Sequence, residues 1–273
     1  MNKIDFALVI TAEMCNPNGD PLMFNRPRID IDGYGEISSV CLKRKIRDRL
    51  QEMGCEIFVQ KNDRCDDGFH SMKERFDAYK PLHDEIRKKD RADIDKIKAL
   101  ACKKWMDIRT FGQVLPFKGV SASIGVRGPV SIGHAKTLQP IDIINHLCTT
   151  SSNLEKKKGK DSNTMYNTYI VRRGVYVAFG SIFPSLAEKT GFSDSDVDLV
   201  KESLKILFDN DISSSRPSGS MFSSLYWWEH NGKQGVMPSS KVFHTLHIKP
   251  SDEYPYYAVS PEEIPNVKLE IYD

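Results

Sequence analysis

The strictest constraint on the fold is the alternation at the start of the chain. From Lys3 to Thr11, Ile4, Phe6, Leu8 and Ile10 fall on one side of an extended backbone, and Asp5, Ala7, Val9 and Thr11 on the other. Side chains of a strand point to opposite faces in turn, so the run predicts a β-strand with at least one buried face. That face must be covered by another layer. A dense cluster of turn residues follows, Asn16-Pro17-Asn18-Gly19-Asp20-Pro21, and ends the strand. The loop continues through Asn25-Arg26-Pro27-Arg28 to Gly33 and Gly35. A helix is expected from about Ser39 to Met53, where Leu42, Ile46, Leu50 and Met53 form one apolar stripe at 100° per residue. Arg44 points nearly opposite the stripe, Lys43 and Arg47 lie on one flank, and Lys45 and Arg49 on the other. This is the sharpest cluster of charge in the chain.

Glu56 to Gln60 reads as a short second strand. From Lys61 to about Asp107 the pattern turns helical and heavily charged, with Phe76, Tyr79, Leu82 and Ile86 as its inner face. Ala122 to Ile132 and Tyr169 to Ile182 are rich in β-formers. Between them Ser151 to Asn163 is polar and carries Lys156, Lys157, Lys158 and Lys160, which predicts an exposed tip. Ser193 starts a last helix, with Asp196 three residues on and Val197, Val200, Leu204 and Leu207 as its stripe. Met221 to Trp228 and Lys241 to Ile248 read as strands. The order is α+β and suggests a ferredoxin-like βαββαβ core with long insertions.

Hydrophobic residues make up 40% of the 273 and charged residues 28%, enough apolar content for a core and too much for wholesale disorder. No apolar run approaches the roughly 20 residues of a membrane helix. Met1 to Asp5 leads straight into the strand pattern, with no signal peptide expected. These two readings predict a cytoplasmic protein without membrane contact. None of the six cysteines is spaced as C-x-x-C, so the expectation is reduced thiols without a zinc site. The net charge of +2 does not announce a nucleic-acid binder, and any electrostatic case must rest on local clustering.

Two constellations carry candidate chemistry. In the first, Arg26, Arg28, Lys43, Arg44 and Arg47 line one edge of a groove and contact phosphates, helped by the hydroxyls and N–H groups of Ser38 and Ser39 at the helix start. Against this stands a solvated helix face with ordinary charges. In the second, Asp20, Asp30 and Asp32 hold magnesium for phosphodiester cleavage. The favoured alternative is plain turn chemistry. His244 and His247, three apart on an expected strand, face opposite sides and make a poor metal pair. Tyr226, Trp227 and Trp228 are of the type that stacks bases, but a strand must turn some of them into the core. No phosphate-binding loop, nucleophile elbow or HExxH motif is present. No catalytic residue, metal or cofactor is therefore assigned.

Several blocks together resemble a known family. They are Asn16 to Pro21 with Asn25 to Arg28 and Val40 to Arg47, Asp107-Ile108-Arg109-Thr110-Phe111-Gly112, Ser123 to Val130, Arg173 to Ala178, and Leu207 to Asp211 with the loop through Arg216. They resemble the backbone subunit of type I-C CRISPR Cascade complexes, the Cas-seven family of the RAMP superfamily. The resemblance implies an RRM-like palm, helical fingers at about 61–107 and a protruding thumb at about 135–168. It implies a non-catalytic subunit that polymerises along CRISPR RNA, beside further copies of itself and other Cascade subunits, and leaves the guide free to pair with a target DNA strand. It places phosphate contacts at Arg28, Ser38, Lys43 and Arg47, and more weakly at Arg44 and Arg216. Tyr166, Tyr169, Arg172 and Arg173 depart from the family pattern, so the thumb residues that touch RNA stay open. Two other readings also stay open. One is a metal-dependent RAMP-type ribonuclease using Asp20, and the other is a scaffold without RNA binding of its own.

Overall fold

The computed structural model describes residues 1–88, 91–115, 124–149 and 165–273. The expected lysine-rich tip, Ser151 to Asn163, lies outside the described residues, as do Ala122 and Ser123.

The first strand, β1 (Ile4–Cys15), is the spine of the molecule. It is followed by a small hairpin, β2 (Gly19–Asp20) and β3 (Arg26–Pro27), then by β4 (Tyr34–Ile37) and helix α1 (Ser39–Glu52). Ser38 caps α1, its hydroxyl accepting from the Cys41 N–H. The helix stops where Gly54 takes a φ of 84°, a left-handed turn that a glycine makes without steric penalty.

Residues Lys61 to Phe111 form the helical insertion, with α2 (Met72–Ala78), α3 (Lys80–Ile86), α4 (Ile94–Lys104) and α5 (Met106–Phe111). Its core includes Phe58, Phe76, Leu82, Ile97 and Trp105, with Tyr79 and Ile86 packed at the edge. Here the expected inner face is observed. The expected strand at Glu56 to Gln60 is not. The Asp107 carboxylate accepts from the N–H groups of Phe58 (2.7 Å) and Val59 (3.1 Å), so no neighbouring strand is needed to satisfy them. Ile57 is buried in the main core and Phe58 in the insertion. The segment alternates because it passes between two cores.

Beyond α5 come a hairpin, β5 (Gly112–Leu115) with β6 (Ile124–Arg127), and the strands β7 (Val130–Ile132), β8 (Ala135–Pro140), β9 (Ile143–Thr149) and β10 (Met165–Ile182). Helices α6 (Pro184–Thr190) and α7 (Asp194–Lys205) follow. Ser193 and Asp196 form the expected capping box at α7, and Val197, Val200, Leu204 and Leu207 are buried. The chain then runs through β11 (Met221–His230), α8 (Ser239–His244), β12 (Leu246–Pro250), β13 (Tyr257–Pro261) and β14 (Val267–Tyr272). The expected strand at Lys241 to Ile248 is therefore half helix. Pro238 holds the N-cap, and Val242 is buried at the α8 end of a helical turn.

The main sheet has the order β14-β11-β1-β10-β8-β4, with β7 and β9 also on β10. β1 runs antiparallel to both of its neighbours, β10 and β11. Phe6, Leu8 and Ile10 face the core shared with α1 and α7, while Ala7 and Val9 face a second core that includes residues of α8, β12 and β13. Tyr226, Trp227 and Trp228 are all buried, which makes them core residues on both faces and not a stacking surface. Among the described residues, no helix is long and apolar enough to cross a membrane.

Candidate nucleic-acid interface

The turn after β1 is held by its two asparagines. The Asn16 amide N–H donates to the Ser215 carbonyl (2.8 Å), and its side-chain amide donates to the Asn25 carbonyl (2.7 Å). The Asn18 carbonyl accepts from the Arg28 N–H (3.1 Å), and its side-chain oxygen accepts from the Ser38 N–H (2.9 Å). Gly19 is required here, because the Asn25 carbonyl oxygen lies 2.9 Å from where a β-carbon would sit. One turn therefore draws in the loop at Ser215, the hairpin at Asn25 to Arg28 and the start of α1.

Arg216 donates to the Asn16 carbonyl (3.4 Å) and through Nε to Asp211 (2.8 Å). The buried Lys45 forms an ion pair with the same carboxylate. Burial pushes the Asp211 carboxyl up, but Lys45 and Arg216 outweigh burial and hold it below the usual carboxylate range. Arg28 stands 3.2 Å from Asp20 and is one-third exposed. Arg28, Ser38 and Arg216 thus gather around one turn.

The other three expected contacts gather elsewhere. Arg47 donates through Nε to the buried Asp107 (2.9 Å) and lies over the Phe111 ring (5.0 Å). Lys43 lies over the same ring (5.6 Å). Burial, and then Arg47, lower the Lys43 ammonium below the usual lysine range. Arg44 donates to the Val59 carbonyl (2.6 Å) and pairs with Asp48 (3.0 Å), so it ties α1 to the insertion. Burial also lowers the Arg44 guanidinium, against the pull of Asp48. The flank of Lys45 and Arg49 is buried. Long aliphatic stems can cover apolar neighbours once their charged ends find carboxylates, here Asp211 and Glu52. Among the described residues, Lys43 alone of these five α1 cations has no carboxylate within ion-pair distance.

The family model for CRISPR-associated protein Cas7 matches residues 2–271. The chain belongs to the Cas7 family. A curated CRISPR-associated protein Cas7 from Haloferax volcanii is 27% identical over 216 residues, which is 72% of this chain and 62% of that protein. The chain thus spans less than two thirds of the length of that relative. A chain from a solved CRISPR RNA-guided surveillance complex, pre-nicking, superposes with a TM-score of 0.53 at 15% identity, over 92% of this chain and 84% of that one. At that identity the likeness is one of fold.

In this Cas7 family member two of the three candidate acids, Asp20 and Asp30, do turn work. Asp20 accepts from the Leu22 N–H (3.0 Å) and pairs with Arg28. Asp30 accepts from the Asp32 and Tyr34 N–H groups (3.0 and 2.9 Å) and pairs with Lys136 at 2.5 Å. The Lys136 bond is the chief cause that lowers the Asp30 carboxyl. No cluster of three or more His, Cys, Asp or Glu among the described residues is placed to hold a metal. His244 bonds within α8, to the Ser240 carbonyl, and His247 bonds Glu262.

Sequence reasoning missed Asn16, Asn18, Lys45, Asp211, Asp107 and Phe111 as parts of this surface. The paired asparagines in the turn were the available signal, since asparagine is the residue that can hold two backbone groups at once.

Proposed function

We propose that the chain is a non-catalytic backbone subunit of a type I-C Cascade complex that binds CRISPR RNA through its phosphates. In this reading it polymerises along the guide in the cytoplasm, beside copies of itself and other Cascade subunits, and supports pairing with a target DNA strand. The sheet around β1, with α1 and α7 on one face, is the RRM-like palm. The insertion at 61–107 forms the fingers, and 135–168 is the thumb.

The observation that carries the reading is the convergence of Arg28, Ser38 and Arg216 on one asparagine-braced turn, with Lys43 and Arg47 sharing the Phe111 ring on the same helix. Arg28, Ser38, Lys43, Arg44, Arg47 and Arg216 are the proposed RNA contacts. Cations that already have fixed partners lose little freedom on binding, which suits repeated, sequence-independent contacts to phosphate. A near-neutral total charge also suits a chain that packs against copies of itself. Asp20 is engaged by Arg28 and by its own turn, which does not favour cleavage.

The test is binding of single-stranded RNA by the purified protein, with magnesium or manganese present. Affinity should fall steeply with salt, with a log–log slope of roughly −0.7 per phosphate contact. It should show little sequence preference, and Arg28→Ala should reduce the slope. Guide and complementary RNA should both stay intact. Regularly spaced cleavage, lost in Asp20→Ala, would place the chain among the ribonucleases. Salt-insensitive, sequence-selective binding would overturn the reading, and no binding would favour a scaffold.

A further inference from the structure

The second face of the main sheet is not covered to its end. Ala7 and Val9 lie beneath the layer that includes α8, β12 and β13. Farther along β1, Thr11 pairs with Phe222 of β11 and Glu13 pairs with Arg173 of β10. Cross-strand partners point to the same face, so Phe222 and Arg173 flank β1 just beyond the covering layer.

Three aromatic rings continue from one to the other. The Phe222 ring lies 6.2 Å from Tyr254, and Tyr254 stands edge-on to Tyr256 at 5.7 Å. The Arg173 guanidinium sits 3.7 Å above the Tyr256 ring. The Tyr256 hydroxyl donates to Glu13 at 3.1 Å, and Thr11 donates to the Pro255 carbonyl at 2.8 Å. The rings are thus braced onto the strand, yet Tyr254 is 64% exposed. Phe222 and Tyr254 line a cavity of about 370 Å³ together with Tyr226, Tyr257, Ser224 and Asp273, whose carboxylate can accept from the amino groups of a base.

We propose that this cavity and its aromatic strip take an unstacked base of single-stranded nucleic acid. The inference deepens the RNA-binding reading and rests on it. Exposed rings that are held rigidly offer stacking area at little entropic cost, and every base has a π-face to meet them. A protein segment would need no cation there. A nucleic acid does, and Arg173, half-exposed and 3.8 Å from Glu13, supplies a planar one that stacks as a base does. The strip also lies along the same strand as the turn that Arg216 holds. From Thr11 to Asn16 the strand advances roughly 16 Å, and Asn16 is the residue that Arg216 and Ser215 hold. A strand of nucleic acid lying along the end of β1 meets cations at Asn16 and rings at Thr11.

The test compares the unaltered protein with Tyr254→Ala and Tyr254→Phe, using RNA and DNA oligonucleotides of one length. Tyr254 is exposed, and its substitution leaves the fold intact by thermal melting. Tyr254→Ala should weaken binding roughly tenfold, the order of one lost stacking contact, with the salt slope unchanged. Tyr254→Phe should bind as the unaltered chain does. An oligonucleotide carrying 5-bromouracil should crosslink on irradiation to the peptide that holds Tyr254. The arm that crosslinks tells RNA from DNA. Equal binding by Tyr254→Ala with no crosslink there overturns this proposal and leaves the phosphate reading standing, and so does capture of a peptide at this strip in place of the oligonucleotide. Absence of binding by the unaltered protein overturns both.

Discussion

The two charged flanks of α1 solve one problem in different ways. On the flank that faces the turn, Lys45 and Arg216 share Asp211, Arg28 pairs with Asp20, and bonds from Asn16 and Asn18 hold the frame. Each cation there has a carboxylate of its own or a half share in one. On the other flank, Lys43 and Arg47 meet on Phe111, with Asp107 as their one carboxylate. Both regions keep one surplus positive charge, and the first is the more heavily braced. The second holds its surplus over an apolar ring. One set of cations is thus held by carboxylates and backbone, the other chiefly by a ring.

The comparison can be broken most directly at Asp107. This carboxylate is 1% exposed and holds Arg47 and two backbone N–H groups. Asp107→Ala should cost about 3–5 kcal/mol in denaturant unfolding, the range for stranding a buried partner. Arg47→Ala should cost about 2 kcal/mol, since it removes one charged hydrogen bond, and the double variant should cost less than the sum. Additive losses would show that the two residues do not act as a unit.

A smaller effect should appear in acid. Asp211 is held below the usual carboxylate range in the folded chain. A depressed carboxyl stabilises the fold above its unfolded value, near pH 4, and that contribution is lost as pH falls through the folded value. Stability should therefore decline below about pH 4, and Asp211→Asn should flatten that part of the curve. An unchanged curve would mean that the Lys45–Asp211–Arg216 cluster does not brace the turn.

The smallest change in stability should come from Lys43→Ala, within about 0.5 kcal/mol, because no carboxylate depends on it. RNA affinity should nevertheless fall. A variant that melts early while keeping its affinity would reverse the roles given to the two regions.

Local pattern was enough for much of the fold. β1 followed from alternation, and α7 followed from its cap and stripe, because both signals are written within a dozen residues. The burial of Lys45 was not legible. Its partner Asp211 lies 166 residues away, and nothing near Lys45 distinguishes a paired lysine from a solvated one. Glu56 to Gln60 misled because alternation between two cores looks like alternation across a sheet. In the candidate site, Arg28 and Ser38 stood out from the local charge and the helix start, whereas Arg216, far along the chain, entered only through the family resemblance. The aromatic strip of Phe222, Tyr254 and Tyr256 could not be foreseen at all. It exists only where β1 brings two distant segments onto one face, while the more conspicuous Trp227 and Trp228 vanish into the core.

β10 has a mechanical consequence. It is 18 residues long, roughly 60 Å of strand. Its first third pairs with β9 and the rest with β1, and Val171 is the one residue paired with both. No loop interrupts it, so the hairpin and the central sheet share a single beam. A load applied at Met165 is carried along that beam to Cys15, which faces Val171 at the very end of β1. The beam cannot slip by one residue to relieve the load, since that would turn every side chain to the opposite face. Strain imposed at the hairpin is therefore passed along β10 to the end of β1, beside the turn that bonds Ser215 and Arg216.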